Sequence, residues 1–342
     1  MTVGKAEEIF TSEKSTTGKI GAEKIVSGVF TFARRKPLGF VCAVVLLILV
    51  IIGDLIPVTI NFTYQLLGKP FGGGYDSISS AMIAPNGSPV PYIGGLIAPF
   101  PYDQTHLRDR LQGPSFKYLL GTDELGRDIL SRLIYGARVS VIVPIGAVLI
   151  SQILGAIIGI MSGYYGGLFD TITVRFVDIF QALPGLVVFI TVLGIFGSGL
   201  WQLVVVIGVY GGASATRLIR SQVFSVMSSP YIEAATVIGG GDLRIMVRYV
   251  LPNVFPLVIL SATIQLGFVV LIEASLSFLG YGLPPPFPSW GQMLSLQGRE
   301  FMRTAPGLAI YPGVAIAIIV FSYNLFGDAL RDTMDPRLRG SR

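Results

Sequence analysis

The sequence predicts an all-α integral membrane protein with six transmembrane helices and a long loop outside the membrane. Of its 342 residues, 52% are hydrophobic and 13% are charged, whereas an ordinary soluble domain carries about 25% charged residues. The mean hydropathy is +0.69. Because such a chain has too few charges to cover a surface in water, most of its surface is expected to face lipid.

Six apolar runs carry this prediction, and each is long enough, or nearly so, to cross a bilayer as a helix. Pro184 lies in the first half of the third run. Neighbouring helices can satisfy the carbonyl that a proline frees, so we expect a kink there and no break. The predicted spans are 37–58, 139–161, 176–196, 200–215, 253–279 and 307–326.

The basic residues predict the orientation. Arg34, Arg35 and Lys36 directly precede the first span, and the C-terminal tail is also basic. Cytoplasmic loops carry an excess of Lys and Arg, so both termini are predicted to be cytoplasmic. This bias accounts for the net charge of +5 without a nucleic-acid partner. The expected organisation is an N-terminal tail (1–36), a first span (37–58), an extracytoplasmic loop (59–138), and a transmembrane core (139–342) that includes a cytoplasmic segment (217–252) and a short cytoplasmic tail.

The chain lacks the signatures of an enzyme. No segment fits G-x-x-x-x-G-K-[ST], so we do not expect P-loop binding of ATP. His106 is the single histidine and has no His or Cys partner nearby, which is more typical of a solvated loop residue than of a metal ligand. Cys42 is the single cysteine and cannot form an intrachain disulfide. We therefore expect no catalytic residue, no metal site and no cofactor in this chain.

A polar segment between the fourth and fifth spans, EAATVIGGGDLRIMVRYVLP (233–252), predicts two short helices with a break. Ser229 can be the N-cap of the first helix and Pro230 its first residue. Gly239 is suited to end that helix, because glycine reaches positive φ without strain. Asp242 is the expected cap of the second helix, which should end at Leu251–Pro252.

Three interpretations of this segment compete. It could be an ordinary connecting loop. It could be a helix-turn-helix that binds DNA, although the flanking spans leave no room for a three-helix DNA-binding domain. It could also be a docking element for a partner at the water side of the membrane.

The docking interpretation is favoured because the segment resembles the EAA loop of ABC importer permeases. The pattern of that loop is Glu-Ala-Ala, three residues, Gly, nine residues, Ile, one residue, Leu-Pro. Tyr249 stands where the pattern has Ile, which changes one apolar docking contact. The positions that match at the right spacing are Glu233, Ala234, Ala235, Gly239, Leu251 and Pro252.

A second run, GTDELGRD (121–128), resembles the lead-in to the second span of one subfamily, the C-type permeases of dipeptide and oligopeptide ABC importers. Its charges could pair among themselves, since Glu124 and Arg127 have helix spacing, or they could contact substrate. We favour a structural role. The residues that carry this resemblance are Gly121, Asp123, Gly126, Arg127 and Asp128.

The resemblance implies a type I ABC importer permease fold in the bacterial cytoplasmic (inner) membrane. It implies a second homologous permease, two P-loop ATPase subunits that bind ATP and Mg²⁺, and an extracytoplasmic substrate-binding protein. Together with the lipid bilayer, these are the expected partners. The implied activity is passage of di- and oligopeptides by alternating access, and nickel or another small solute is the alternative substrate.

Glu273 supports a different class of function. A carboxylate within a span is costly and is therefore a functional candidate. It could line a pathway or gate, or it could pair with a neighbouring helix. In the first case the chain could be an ion-coupled secondary transporter that needs no ATPase.

Overall fold

Helices make up the regular structure of the computed structural model, which describes residues 32–34, 36–53, 98–295, 298 and 300–334. Within these ranges the pairing of Thr122 with Asp128 is an isolated bridge and there is no strand. This confirms the predicted all-α class. The helices are α1 (Pro37–Gly53), α2 (Ile129–Tyr165), α3 (Gly167–Ala182), α4 (Gly185–Phe196), α5 (Leu200–Met227), α6 (Pro230–Val237), α7 (Asp242–Ile245), α8 (Leu251–Phe278), α9 (Trp290–Leu294) and α10 (Gly307–Met334).

Helices of membrane-spanning length occupy most of the predicted positions. Four of them are long and apolar enough to cross a bilayer: α2, α5, the continuous stretch from α7 through α8, and α10. The pair α3 and α4 forms a fifth candidate span with a bend of 85°. The apolar α1 has 17 residues, somewhat fewer than the ~20 of a full span. The six-span count and the cytoplasmic termini stay predictions, and most of the tail 1–36 and residues 59–97 of the loop lie outside the described residues.

Several helices extend beyond the spans predicted from hydropathy, as α2 and α5 illustrate. Helix α2 begins at Ile129 instead of residue 139, because Asp128 caps it by accepting a hydrogen bond from the Ser131 N–H at 2.7 Å. Helix α5 continues to Met227 instead of ending near residue 215. Hydropathy detects the lipid-facing part of a helix, whereas polar turns at its ends stay helical when their side chains are capped or paired.

The third predicted span is broken, and the expectation of a mere kink at Pro184 is wrong. Leu183 has φ −88° and ψ 134°, an extended conformation between α3 and α4. A proline pushes the residue before it out of the α region, because its ring collides with that residue's backbone. The Tyr210 hydroxyl of α5 donates to the Leu183 carbonyl at 2.9 Å, which satisfies the backbone at the break.

Helices α2 and α5 pack in close contact because glycines line the contacting face of α2. A Cβ atom on Gly155 would lie 2.4 Å from the Cβ of Ala215, and one on Gly163 would lie 2.7 Å from the Cβ of Val223. A Cβ on Gly159, midway between them, would lie 2.9 Å from the carbonyl oxygen of Thr216. Small residues spaced by four allow two membrane helices to approach backbone to backbone.

Three buried apolar clusters fill the fold. Two of them join α2 to the neighbouring helices along the bundle. The third lies where α2 and α5 end, and we call it the inner cluster. It brings α6, α7 and the start of α8 against the ends of α2 and α5. Its buried members are Ile160, Ile219, Val223, Val226, Ile232, Ile245, Val250 and Val254.

Candidate functional site

The EAA-like segment is held on the inner cluster by one face of α6. Ile232 is buried and points into the cluster. Glu233 and Ala234, the next two residues, are exposed, and Ala235 is half-buried. Successive residues of a helix point about 100° apart, so a buried Ile232 directs Glu233 and Ala234 away from the bundle. The segment therefore has a fixed inner face and a free outer face.

The turn after α6 explains the glycine of the pattern. Gly239 has φ +87°. The Gly240 N–H donates to the Ala235 carbonyl at 3.0 Å and the Gly239 N–H donates to the Thr236 carbonyl at 2.9 Å. This pair of bonds is the Schellman motif, which needs a residue with positive φ and strongly favours glycine. The predicted end of the helix at Gly239 is confirmed, and Pro230 is confirmed as the first residue of α6.

The second half of the segment differs from the prediction. Asp242 is not the cap of α7 but its first residue, and Gly241 holds the cap position. The Asp242 carboxylate accepts a hydrogen bond from the Tyr164 hydroxyl at 2.9 Å, which joins α7 to the end of α2. The aromatic hydroxyl thus competes for the carboxylate that could otherwise have capped the helix.

The predicted helix end at Leu251–Pro252 is also wrong. A π-helical turn, Met246–Val250, joins α7 to α8 without a break. The Leu251 N–H donates to the Met246 carbonyl, five residues back. A widened turn of this kind separates the carbonyls from a following proline ring, so Pro252 is accommodated inside the continuous helix.

The outer face carries a group of exposed residues that we call the docking surface: Glu233, Ala234, Val237, Ile238, Gly239 and Leu243. Val237 is 83% exposed, Ile238 86% and Leu243 72%. Large apolar side chains that are exposed to this degree on one segment are a typical mark of a contact surface. Sequence reasoning missed these three side chains, although apolar residues on both sides of a triple glycine in a polar segment were a usable signal.

The remaining positions of the pattern lie away from this surface. Leu251 and Tyr249 are half-buried and pack against the inner cluster. Pro252 is exposed at the start of α8. The structure thus places the departure from the pattern, Tyr249, in the support of the segment and not among its free side chains.

Close backbone approach explains the glycines of the GTDELGRD run. Gly121 and Gly126 have φ +83° and +72°. A Cβ on Gly126 would lie 1.9 Å from the His106 carbonyl oxygen, and one on Gly121 would lie 2.4 Å from the Gln112 carbonyl oxygen. No other residue fits where two backbone segments touch at such φ values. These glycines fold residues 121–128 against residues 106–112.

The charges of the run pair among themselves at the predicted spacing, but they do so in a tight loop and not on a helix. Asp123 accepts from Arg127 Nε at 2.7 Å, and Arg127 Nη2 lies 3.3 Å from Glu124. Burial raises the pKa of the Glu124 carboxyl. Arg132, which sequence reasoning missed, is buried beside Asp123 and donates to the Tyr102 carbonyl at 3.1 Å. The buried pairing favours a structural role for this run.

Glu273 is fully buried, and its contacts are to hydroxyls. Ser277 donates to one carboxylate oxygen at 2.7 Å, and Ser140 of α2 lies 3.4 Å from the other. The side chain is thus enclosed between α8 and α2. It does not line the cavity that the same helices help to form, which favours pairing with a neighbouring helix over a place in a pathway.

An apolar cavity of about 610 Å³ lies between α5 and α8, and polar groups gather on its wall. Sequence reasoning missed this site, although glutamines within apolar spans were a signal that could have indicated it. Among the described residues, no group of three or more His, Cys, Asp or Glu side chains is placed to hold a metal ion. The polar and charged residues that line the cavity are Gln152, Tyr210, Ser214, Ser261, Gln265 and Arg331.

Comparison with known proteins agrees with the resemblance of the two runs. Residues 155–340 match the family described as "Binding-protein-dependent transport system inner membrane component". A glutathione transport system permease protein of Pectobacterium atrosepticum is 39% identical over 242 residues, which cover 70% of this chain and 80% of the relative. A dipeptide transport system permease protein of Alkalihalophilus pseudofirmus is 38% identical over 238 residues, 70% of this chain and 78% of the relative.

A third relative, a glutathione transport system permease protein of Escherichia coli O1:K1, is 36% identical over 245 residues, 71% of this chain and 80% of the relative. The family match covers more than half of the chain, and each of these alignments covers more than two thirds of both proteins. The chain therefore belongs to the binding-protein-dependent transport family, as a multi-pass permease subunit of an ABC importer in the bacterial inner membrane, whose ATP is hydrolysed by separate subunits.

Proposed function

We propose that this chain is the permease subunit of an importer for di- and oligopeptides. We further propose that an ATPase subunit binds the docking surface and displaces it during the transport cycle. The named relatives serve a dipeptide and glutathione, which are both built from amide-linked amino acids. A substrate of this class fits the neutral amide and hydroxyl groups of the α5–α8 cavity.

The docking proposal rests on one observation: one face of α6 is buried in the inner cluster, and its other face is exposed. Ile232 and Ile245 anchor the segment in the inner cluster, which also contains the end of α5. Val237 and Ile238 project on the opposite side. A partner that covers these two side chains gains apolar burial, and a displacement of α6 is transmitted to the packed helices, because a close-packed core moves as a body.

The proposed assembly has a second homologous permease, two P-loop ATPases that bind ATP and Mg²⁺, and an extracytoplasmic binding protein. In this scheme, closure of the ATPases on ATP moves α6 and the attached spans and turns the pathway outward. The binding protein then releases peptide, and hydrolysis of ATP restores the inward state. Glu233, in the first turn of α6, is the charged contact of the docking surface.

Co-purification from the native host tests the docking. The chain is tagged at its C-terminus, extracted gently and compared with Glu233→Arg. We expect a P-loop ATPase and a second permease with the wild type, and loss of the ATPase with the variant. Glu300→Arg is the matched control, because Glu300 is also exposed but lies before α10, far along the chain from α6. Equal recovery of the ATPase with both variants would remove Glu233 from the interface.

Transport by the purified complex tests the substrate. With the binding protein present, vesicles should take up a labelled dipeptide in an ATP-dependent manner. Uptake of Ni²⁺ without uptake of peptide would replace the proposed substrate. Uptake driven by an ion gradient in the absence of ATP would contradict the proposal as a whole.

A further inference from the structure

The polar wall of the α5–α8 cavity is centred on Gln265. This residue lies at the middle of α8, about 20 Å from either end at 1.5 Å per residue. A polar side chain at that depth is surrounded by apolar spans and is a functional candidate. Among the residues that line the cavity, no acidic side chain is present in the described part of the chain.

Two residues of α2 hold Gln265 in a fixed orientation. Its Oε1 accepts hydrogen bonds from Ser151 Oγ at 3.1 Å and from Gln152 Nε2 at 3.0 Å. Ser261, one turn before Gln265, lies 2.9 Å from Gln152 Oε1 and also lines the cavity. Two donors on one oxygen determine which end of the amide is the carbonyl. The Nε2 of Gln265 is therefore on the opposite side, next to Gly211 of α5.

The Nε2 of Gln265 is an available donor on the cavity wall. Within the described residues it makes no hydrogen bond, whereas the carbonyl end of the same amide makes two. Gly211 also lines the cavity, and a Cβ there would lie 2.7 Å from this nitrogen. The glycine thus leaves the amide open toward the space between the helices.

We propose that the α5–α8 cavity is the part of the peptide pathway that this chain supplies, and that Gln265 donates from its Nε2 to the backbone carbonyls of passing peptides. This inference rests on the proposed peptide importer and names the contact within it. Ser151 and Gln152 are positioning residues that orient the amide. A cavity of about 610 Å³ is within the size range of sites that enclose a small organic ligand.

The chemistry of the wall explains how one site can pass peptides of many sequences. Side-chain amides and hydroxyls form hydrogen bonds with peptide amides, which every peptide carries. A neutral wall neither selects nor repels a charged side chain, whereas a fixed charge in a low-dielectric site would do so strongly. Arg331 is the one charged residue among the described residues that line the cavity, and the groups in the hydrogen-bond network of Gln265 are neutral.

Gln265→Glu tests the contact, because the substitution keeps the shape of the side chain, removes the donor and adds a negative charge. The measurement is ATP-dependent uptake of two dipeptides, one with a glutamate and one with a lysine side chain, by the complete complex in vesicles. We expect uptake of the acidic peptide to fall about fivefold relative to the basic one, the effect of one charge contact in a partly hydrated cavity. Gln202→Glu, the same change on α5 away from the cavity lining, should leave the ratio unchanged.

Ser214→Asp supplies the second variant, in case Gln265→Glu does not assemble. Ser214 is exposed on the cavity wall and accepts a hydrogen bond from Gln181 at 3.2 Å, outside the Gln265 network. Ser214→Asp should also lower uptake of the acidic dipeptide relative to the basic one. An equal loss for both peptides would assign Gln265 to helix packing alone, and unchanged uptake would place the pathway elsewhere. Either result overturns the inference while wild-type peptide uptake still stands, whereas absence of that uptake overturns the proposed function too.

Discussion

Arg220 of α5 and Asp170 of α3 form a bidentate ion pair in which both carboxylate oxygens accept from the guanidinium, with Nη2 2.5 Å from Oδ2. Ser162 of α2 donates to the same carboxylate at 2.6 Å. One carboxylate therefore joins three helices just before α5 leads into α6. Bidentate pairs of this kind fix geometry as well as adding energy, so the base of the docking surface is held in a defined orientation.

Asp170→Asn should destabilise the protein more than the same change at Asp178. The Asp170 and Arg220 side chains are largely buried, at 15% and 25% exposed, whereas Asp178 and its partner Arg217 are about half exposed. Solvent screens the second pair. We expect a loss of about 1–2 kcal/mol for Asp170→Asn and a loss within error for Asp178→Asn. Thermal unfolding of the purified complex measures the difference, and equal shifts would contradict the structural role of Asp170.

Gly155→Ala should destabilise the contact between α2 and α5. The new Cβ would lie 2.4 Å from the Cβ of Ala215 and 2.9 Å from its backbone carbonyl carbon. Overpacking of this kind typically costs about 1–3 kcal/mol. Because the backbone also blocks the space, Ala215→Gly should rescue the variant only in part. Gly113→Ala is the control, since a Cβ there meets nothing within 4 Å.

The midpoint of thermal unfolding of the four proteins measures this effect. The expected order of stability is wild type and Gly113→Ala together, then the double variant, then Gly155→Ala. Full rescue by Ala215→Gly would show that side-chain contact alone sets the distance between the helices.

Sequence alone predicted the class, the approximate positions of the apolar helices and the turn at Gly239, because these depend on local composition and on backbone conformation. It missed what depends on contacts between distant segments. The Tyr164 hydroxyl donates a hydrogen bond to the Asp242 carboxylate, which could otherwise cap α7. Arg132 forms a buried ion pair with Asp123. The restriction on residues before proline predicts the extended Leu183, whereas the tolerance of membrane helices for proline predicts only a kink.

The loop that contains Asp109 should lose structure in acid. The Lys117 ammonium at 2.8 Å and then the Tyr118 hydroxyl at 2.8 Å hold the pKa of the Asp109 carboxyl below its ordinary value of 3.8. A lowered pKa in the folded state contributes stability that is present above the unfolded value. That stability is lost as the pH falls through the folded value.

Amide hydrogen exchange of residues 107–118 measures this effect. Protection should fall below pH 3.8 in the wild type after correction for intrinsic exchange, and Asp109→Asn should lack this additional loss. Identical pH profiles for the two proteins would assign the acid sensitivity to another group.

The turn at Gly239 should be sensitive to a side chain because of its backbone and not because of crowding. Gly239 has φ +87° and a Cβ there would meet nothing within 4 Å, whereas Gly241 is equally open but has φ −69°. Left-handed backbone costs about 1–2 kcal/mol for most residues. Gly239→Ala should therefore lower ATP-dependent uptake, Gly241→Ala should not, and Gly239→Asn should retain more uptake than Gly239→Ala because Asn tolerates positive φ.

Recovery of the ATPase on co-purification distinguishes two roles of Gly239: setting the backbone conformation of the turn, or contacting the partner directly. If the glycine serves only to shape the docking surface, Gly239→Asn should keep the ATPase while Gly239→Arg, whose long side chain projects toward the partner, should lose it. Loss of the ATPase with Gly239→Asn and with Gly239→Ala to the same extent would mean that the partner touches the turn so closely that no side chain is accepted there.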